Sequence, residues 1–290
     1  MFLAEAPCPA PLAEVLAKPP GREVMLYWLG QAGFVIDGAH RRLVIDPYLS
    51  DSLAEKYRGT AFPHVRLMPP PVLPHEIRHV DAVLATHAHS DHLDPGTLPA
   101  LMATNPGAPL IAPRAVCQTA LERAALSPDR LVAMDTGQTV HPAAGLAITA
   151  TRAAHEDLAR DDGGHHMFLG YAMTLGGVCI FHPGDTIPFD GQTAEVAALR
   201  ADIALLPVNG RDADRAANGV PGNLTPQEAL TLARETGIGA VIAHHFDLFA
   251  FNTVPRAEVE EMARAAHPLT WRAARTGVAF IPHPRPGSPR

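Results

Sequence analysis

The sequence predicts a layered α/β protein built as one domain. Three observations support this class. Strand-like apolar runs alternate with helical patterns along the chain, residue types that bind metals follow several of these runs, and the 290 residues are 47% hydrophobic and 18% charged. A chain of this length and composition can bury a core large enough for an enzyme, and nothing in it is typical of a disordered protein.

Nine short runs have the length and apolar character of strands, and turn residues bound most of them. In chain order they span residues 24–29, 34–37, 43–45, 82–85, 147–151, 171–175, 178–181, 203–206 and 240–243. Helical periodicity separates several of the runs, at 95–103, 115–125, 193–200, 226–236 and 256–266. The fourth helix begins after Thr225, a residue type that caps helix N-termini.

A weak internal similarity accompanies this alternation. The run Leu-Val-Ile-Asp-Pro at residues 43–47 is echoed by Cys-Ile-Phe-His-Pro-Gly-Asp at 179–185, and each run follows a neighbouring strand. This similarity indicates a fold built from a duplicated unit.

Composition excludes several classes of protein. The formal net charge of −7 disfavours nucleic acid as a partner. Three widely spaced cysteines, Cys8, Cys117 and Cys179, argue against a disulfide framework or a thiolate zinc site and fit a reducing compartment. Without a signal-peptide pattern or a long apolar run, the chain is expected to be cytoplasmic and to have no membrane partner. Proline-rich ends, about 1–20 and 282–290, are expected to be loose.

The most informative stretch is Thr-His-Ala-His-Ser-Asp-His-Leu-Asp at residues 86–94, directly after an apolar strand. His87 and His89 lie two apart, so in an extended backbone their side chains leave on the same side and reach one ion. Asp91 and His92 follow where the chain turns, and this spacing suits two adjacent metals. The alternative is chance clustering among sixteen histidines, which would leave buried polar groups unpaired at a sheet edge.

Three more residues of metal-binding type follow apolar runs, namely His155, Asp185 and His245. A hydrogen-bonded histidine is the alternative for His155, and a turn aspartate beside Gly184 is the alternative for Asp185. His244 adjoins His245, and strand alternation says only that one of the two faces the site.

The pattern His-x-His-x-Asp-His after an apolar strand resembles the metallo-β-lactamase fold superfamily. Within it, the runs 28–34, 43–48 and 240–247 resemble the branch that contains L-ascorbate-6-phosphate lactonase. The similarity extends from about residue 27 to residue 255. The resemblance implies an αββα sandwich of two facing mixed sheets flanked by helices, with the ligands on loops along one edge of the sheets.

The resemblance also implies two divalent metal ions and seven ligands. Imidazole and carboxylate ligands without cysteine suit zinc, manganese or iron, and the lactonase resemblance favours manganese. Alignment with the lactonase pattern selects His245 rather than His244. The implied ligands are His87, His89 and His155 for the first ion, Asp91, His92 and His245 for the second, and Asp185 as the bridge between them.

Further residues are assigned supporting roles. Asp46, at the end of a strand, is predicted to orient a ligating imidazole with help from Thr86, although a plain turn is the alternative. Arg211 is a candidate clamp for a phosphate or carboxylate, or else a solvated side chain in a mixed-charge loop. The other substrate-binding candidates are Asn209 beside Arg211, and Tyr48, Tyr57, Arg58 and Arg66 in a segment that could form a lid.

This site predicts hydrolysis by a hydroxide held between two cations, with no protein nucleophile. Asp91 is expected to pass a proton to the leaving group, with Asp185 bridging the metals. The leading hypothesis is a lactonase for a sugar-derived or similarly polar small molecule. A phosphodiesterase with the same dinuclear site is the alternative, and a non-catalytic, metal-stabilised binding module is a third. The lactonase resemblance also hints at a homo-oligomer.

Overall fold

Strands and helices alternate along the chain as the sequence pattern predicts. The computed structural model describes residues 1–284. Its strands are β1 (Phe2–Pro7), β2 (Met25–Gly30), β3 (Gly33–Gly38), β4 (Arg41–Ile45), β5 (Ala82–Leu84), β6 (Leu110–Pro113), β7 (Leu131–Met134), β8 (Thr139–Val140), β9 (Ala147–Arg152), β10 (Leu169–Leu175), β11 (Val178–His182), β12 (Ile203–Pro207), β13 (Ala240–His244), β14 (Thr270–Ala273) and β15 (Val278–His283). Its helices are α1 (Leu12–Leu16), α2 (Ser52–Lys56), α3 (Leu98–Thr104), α4 (Cys117–Ala124), α5 (Gln192–Leu199), α6 (Ala213–Ala217), α7 (Pro226–Glu235) and α8 (Arg256–Ala266).

The strands form two mixed sheets. The first sheet has the order β1-β15-β2-β3-β4-β5-β6-β7, and the second has the order β14-β13-β12-β11-β10-β9-β8. In both sheets the strands pair antiparallel up to a central strand, β4 in the first and β11 in the second, and the strands beyond it pair in parallel. The predicted fold class, two mixed sheets flanked by helices, is confirmed.

The central strands β4 and β11 occupy equivalent positions in the two sheets. Each ends an antiparallel hairpin and pairs on its other side with a parallel strand. These are the strands whose sequences echo one another, and Asp46 and Asp185 follow them. Since parallel strands end at the same edge of a sheet, both aspartates reach the edge where β5 and β13 also end.

Alternating residues place apolar side chains on both faces of each sheet. Phe34 and Ile36 of β3 face the core between the sheets, whereas Val35 faces the outer helices. Helices α1, α3 and α4 cover the first sheet, and α5, α7 and α8 cover the second. Trp28 and Phe34 are at most 1% exposed, and truncating a buried aromatic of this kind to alanine costs about 3–5 kcal/mol.

The N-terminal region is not loose, contrary to the expectation for residues 1–20. Strand β1 pairs with β15 along its whole length, and Leu3 and Leu16 are both fully buried. The partner strand lies more than 270 residues away in sequence, so local pattern gave no sign of the pairing. At the other end, β15 extends to His283, and the remainder of the segment expected to be loose, residues 285–290, lies outside the described residues.

All nine predicted strands and all five predicted helices are present. Pattern reasoning missed the edge and short strands β1, β6, β7, β8, β14 and β15, and the short helices α1, α2 and α6. Within residues 1–284, no helix combines the length and the apolar character that crossing a membrane requires.

Candidate metal centre

The candidate centre lies at the edge where β4, β5, β11 and β13 end. Residues 86–94 leave β5 in a tight turn, in which the backbone amides of His92 and Leu93 donate to the carbonyl oxygen of His89 at 3.1 and 2.8 Å. This turn buries His92 completely and leaves His89 exposed to the cleft described below. Asp185 leaves β11, and His245 leaves β13. Local turns at strand ends therefore aim side chains from distant parts of the chain at one place.

All seven predicted ligands come together there. Three sets of three side chains place their potential ligand atoms within 4.8 Å of one another. The sets are His87, His89 and His155; His87, His92 and Asp185; and Asp91, His92 and His245.

Asp185 lies between the histidine groups. Its Oδ1 is 3.3 Å from His92 Nε2 and 3.1 Å from His245 Nε2, whereas its Oδ2 is 4.0 Å from His155 Nε2. On the far side, His155 Nε2 is 3.1 Å from His89 Nδ1. The two carboxylate oxygens therefore face different groups of imidazoles, which is the arrangement that a bridging carboxylate requires.

Asp46 and Thr86 set the orientation of two imidazoles. His92 Nδ1 donates to Asp46 Oδ2 at 2.7 Å, and Thr86 Oγ1 donates to the same oxygen at 2.7 Å. Because this uses the only hydroxyl proton of Thr86, its oxygen accepts the hydrogen bond from His87 Nδ1 at 3.0 Å. The Nε2 atoms of His87 and His92 consequently face the centre.

Burial and neighbouring charge set the protonation of these groups. Burial lowers the pKa of His87 well below its usual range and lowers the pKa of His155 to about 4. Burial would raise the pKa of Asp185, but the imidazoles of His245 and His92 hold it well below its usual range. Burial also opposes a charge on His92, yet Asp185 and the other nearby carboxylates raise its pKa well above the ordinary value.

These residues fit divalent cations. His87 Nε2 is buried and has no hydrogen-bond partner among residues 1–284, and leaving such an atom unpaired costs about 1–3 kcal/mol. A bound cation would remove this cost. The concentrated carboxylate charge, which raises the pKa of His92, also favours a cation, and nitrogen with oxygen donors suits zinc, manganese or iron.

The structure places the side chains of His244 and His245 in different environments. The ring of His244 packs between the sheets, 5.3 Å from Phe34 and 4.9 Å from His182 between ring centroids. His245 follows with a left-handed backbone (φ 68°), a conformation that non-glycine residues adopt only when their surroundings enforce it. The turn carries His245 into the centre and leaves His244 in the core.

Two positioning residues were not predicted. Gln31 Nε2 donates to Asp91 Oδ2 at 2.9 Å and lies 3.3 Å from His245 Nε2. His182 accepts the backbone amide of Gly184 on Nδ1 at 3.0 Å and so braces the turn that leads to Asp185. Gln31 lies in the lactonase-like run 28–34, and His182 lies in the internally similar run 179–185. Membership of these runs was the only sequence feature that could have indicated their roles.

A cleft of about 720 Å³ opens over the centre. Its volume lies within the range of small-molecule binding sites. Five of the seven predicted ligands line it, so a small molecule in the cleft can reach the centre. They are His89, Asp91, His155, Asp185 and His245.

Arg211 and Arg58, both predicted to bind substrate, do not line this cleft. Arg211 donates to the two carboxylate oxygens of Glu228 at 2.6 Å each, because Glu228 lies in the first turn of α7 beside the loop that carries Arg211. Arg58 is exposed after α2. The structure thus gives Arg211 an ion pair at a helix start in place of a substrate contact.

Of the remaining substrate-binding candidates, Tyr57 lines the cleft, whereas Arg66 does not and donates to the carbonyl oxygen of Tyr48 at 3.1 Å. Tyr48 and Asn209 lie behind the cleft surface. Tyr48 is fully buried and packs on Phe249, with ring centroids 6.0 Å apart. Asn209 is also fully buried, and its Nδ2 donates to Oδ1 of Asn252 at 2.7 Å. Asn252 itself lines the cleft, so Asn209 can support a cleft residue but is not placed to contact a substrate.

Comparisons with known proteins identify the family of this chain. A family model described as the beta-lactamase superfamily domain matches residues 41–246. A UPF0173 metal-dependent hydrolase from Methanoculleus marisnigri is 29% identical over 248 residues, which cover 84% of this chain and 89% of the relative. One from Thermococcus kodakarensis is 31% identical over 191 residues, covering 64% and 73%. The solved structure of isothiocyanate hydrolase from Delia radicum gut bacteria has a TM-score of 0.68 at 19% identity, covering 89% of this chain and 100% of that one.

Proposed function

The chain belongs to the β-lactamase superfamily and is a metal-dependent hydrolase with the metallo-β-lactamase fold, and we propose that it opens the ring ester of a lactone at a dinuclear metal centre. The placement of Asp185 between two groups of imidazoles carries this proposal. A carboxylate with one oxygen facing each group is suited to hold two cations side by side. The choice of a lactone rests on the lactonase-like runs at 28–34, 43–48 and 240–247.

The metal ions would supply Lewis acidity, which lowers the pKa of water and polarises the scissile carbonyl. His87, His89 and His155 would hold one ion, while Asp91, His92 and His245 would hold the other, with Asp185 between them. Asp46 and Thr86 keep two of these imidazoles correctly oriented.

Asp91 is placed to move the proton. It lines the cleft, and Gln31 fixes its Oδ2 through a hydrogen bond of 2.9 Å. Burial would raise the pKa of Asp91, but the imidazoles of His92 and His245 lower it, so the group is a carboxylate at neutral pH. In the proposed reaction, Asp91 accepts the proton that the attacking water loses and returns it to the leaving alkoxide as the ring bond to the carbonyl carbon breaks.

A proton-release assay tests this function. Manganese- or zinc-loaded protein is mixed with sugar lactones, phosphorylated lactones and phosphate diesters, with chelated protein and Asp185→Asn as controls. We expect chelator-sensitive turnover of at least one lactone, reduced about 1,000-fold or more in the variant. Lactone turnover that survives both chelation and the substitution would contradict the proposed mechanism.

A phosphodiesterase is the second candidate, because Arg123 and Lys56 line the same cleft. Neither cation has a carboxylate oxygen within 4.0 Å among the residues that the structure describes. Arg123 Nη1 donates to the carbonyl oxygens of Ala88 and Leu93, and Lys56 Nζ lies 5.0 Å from the centroid of the Tyr57 ring. No carboxylate of the described residues neutralises either cation, so both add positive charge to the cleft, which favours a phosphate group. In the same assay, turnover confined to the phosphate diesters would select this function over the lactonase.

A further inference from the structure

A cluster of rings stands beside the candidate metal centre. Tyr57, Phe62 and His64 line the cleft, and Phe249 and Phe251 pack behind them. These five residues are called the aromatic wall below. Aromatic residues make up only 6% of the chain, so four of them gathered with a histidine at one side of the cleft require an explanation.

Contacts between the rings hold the aromatic wall together. The rings of Tyr57 and His64 stack with centroids 4.3 Å apart. His64 also contacts Phe249 and Phe251 at 5.0 and 4.7 Å, and Phe62 contacts Phe251 at 5.2 Å. These separations are typical of packed aromatic pairs. The wall is therefore preformed, and a ligand would not have to assemble it.

His64 gives the wall an uncharged centre. Burial lowers the pKa of His64 below its ordinary value, so the imidazole is neutral at pH 7. Its Nδ1 lies 2.8 Å from the carbonyl oxygen of Phe62 and donates to it. Because this hydrogen bond uses the only N–H of the neutral ring, His64 brings neither a charge nor a free N–H donor to the wall, and Nε2 is left as an acceptor.

Apolar surface also adjoins the metal ligands themselves. Phe168 lines the cleft and packs on His87 and His155, with centroids 5.2 and 5.3 Å apart. Val220 and Pro221 line the cleft as well. A molecule bound at the centre can thus place its polar group among the imidazoles and carboxylates and an apolar group against these apolar side chains.

We propose that the aromatic wall is the specificity subsite for an apolar group, about the size of a phenyl ring, that the substrate carries near the bond to be hydrolysed. The inference rests on the proposed hydrolase function and narrows its substrate class. The polar ester or lactone group faces the centre, while the apolar substituent lies on the aromatic wall. A bare sugar lactone leaves this subsite empty.

Two carboxylic acids test the subsite without turnover. Butyrate and 4-phenylbutyrate present the same carboxylate to the metal centre, and only the second carries a ring. Their affinities for the zinc-loaded protein are compared by isothermal titration calorimetry. We expect 4-phenylbutyrate to bind about tenfold more tightly or better, since burying a ring of this size is worth at least that factor.

Variants of the aromatic wall test whether this surface causes the tighter binding of 4-phenylbutyrate. Phe62 is half-buried, so Phe62→Ala should fold, and it should reduce the advantage of 4-phenylbutyrate to about twofold or less. Tyr57→Ala should act in the same direction. Phe2→Ala removes a phenylalanine that is 42% exposed on β1, outside the cleft, and serves as the matched control. Equal affinities in the wild type, binding of neither acid, or an advantage that survives both wall variants would overturn the inference.

This experiment separates the subsite from the reaction. If no lactone is hydrolysed but 4-phenylbutyrate keeps its advantage, the lactonase proposal fails and the subsite stands. If lactones are hydrolysed but the two acids bind equally, the subsite fails and the reaction stands.

Discussion

Asp185 is buried at the centre and is surrounded by imidazoles. It is 4% exposed, and three imidazole nitrogens approach its two oxygens within 4.0 Å. Sequence alone suggested its role through the Gly-Asp pair after a strand, but not which groups each oxygen would face. That information depends on the turn that His182 braces, and His182 is itself held by the carbonyl oxygen of Ala32, in the turn between β2 and β3.

Replacing Asp185 by asparagine should remove metal while keeping the fold. The amide has nearly the same volume as the carboxylate, so no cavity forms, but a negative charge shared by both groups is lost. We expect the variant to hold fewer than two ions per chain after gel filtration, measured by plasma mass spectrometry, with a far-ultraviolet circular dichroism spectrum like that of the wild type. Two retained ions would rule out a bridging role.

Comparison of His244→Ala with His245→Ala tests which of the two histidines binds metal and which only packs in the core. Only His245→Ala should lose an ion, because His244 packs against Phe34 and His182. His244→Ala should instead lower the free energy of unfolding by about 2 kcal/mol or more through the cavity it leaves. Metal content and chemical denaturation are measured for both variants. Loss of an ion from His244→Ala alone would show that His244, and not His245, is the metal ligand.

Thr86→Val tests the orientation of the imidazoles. Valine keeps the shape of threonine but removes the hydroxyl that links Asp46 to His87 Nδ1. Loss of such a partner typically weakens metal binding about 10- to 100-fold. Zinc affinity measured against a chromophoric chelator should fall by this factor, with Thr86→Ser restoring most of it. An unchanged affinity in Thr86→Val would show that the hydroxyl does not orient a ligand.

The two metal positions should respond differently to acid. Burial lowers the pKa of His155 to about 4 and holds that of His87 well below its usual value, so protons compete with a metal at these residues only in acid. His92 has a raised pKa, and a metal there must displace its proton at neutral pH and below. On dialysis from pH 7.5 to pH 5.5, one ion should leave while the other stays. Loss of both together near pH 6.5, the ordinary histidine value, would contradict this.

Among the secondary-structure elements, local pattern predicted those with regular periodicity and missed those that depend on a distant partner. The central strands β4 and β11 contain the apolar runs 43–45 and 178–181, which are visible in the local sequence. Strand β1 contains a charged residue and ends in proline, and β6 also ends in proline, so each becomes a strand only through its partner in the sheet. Of the aromatic wall, only Tyr57 was named from the sequence, as part of a lid segment. The other four residues were missed because the wall comes from two irregular segments far apart in sequence.

The start of helix α7 explains the position of the Arg211 side chain. Thr225 Oγ1 accepts the amide of Glu228 at 3.2 Å, and Glu228 accepts the amide of Thr225 at 2.9 Å, a capping box that Arg211 extends. The N-cap at Thr225 is confirmed by this geometry. The guanidinium of Arg211 is thereby committed to the start of the helix.

Arg211→Ala should therefore affect stability slightly and catalysis not at all. The ion pair is partly exposed, and pairs of this kind contribute about 0.2–1 kcal/mol. We expect a small decrease in the free energy of unfolding and a KM within about twofold of wild type on any substrate found in the assay. A KM raised tenfold or more at unchanged stability would restore Arg211 as a substrate-binding residue.

The whole molecule places the centre between two similar sheets. Residues 86–94 follow the first sheet, and Asp185 and His245 follow the second, so the ligand set is complete only when both sheets face each other. The sequence could indicate this arrangement because every ligand follows an apolar run. The sequence could not indicate how the loops around the ligands line the cleft. Loops such as residues 57–65 have no periodicity from which their packing can be predicted.

Seven side chains of this chain are proposed to hold two divalent cations. Anomalous diffraction at the zinc edge, from crystals of zinc-loaded protein, tests this proposal most directly. We expect two peaks, one on each side of Asp185: one beside His87, His89 and His155 and the other beside Asp91, His92 and His245. A single peak that leaves Asp91 and His245 without a metal, or peaks elsewhere in the molecule, would contradict it.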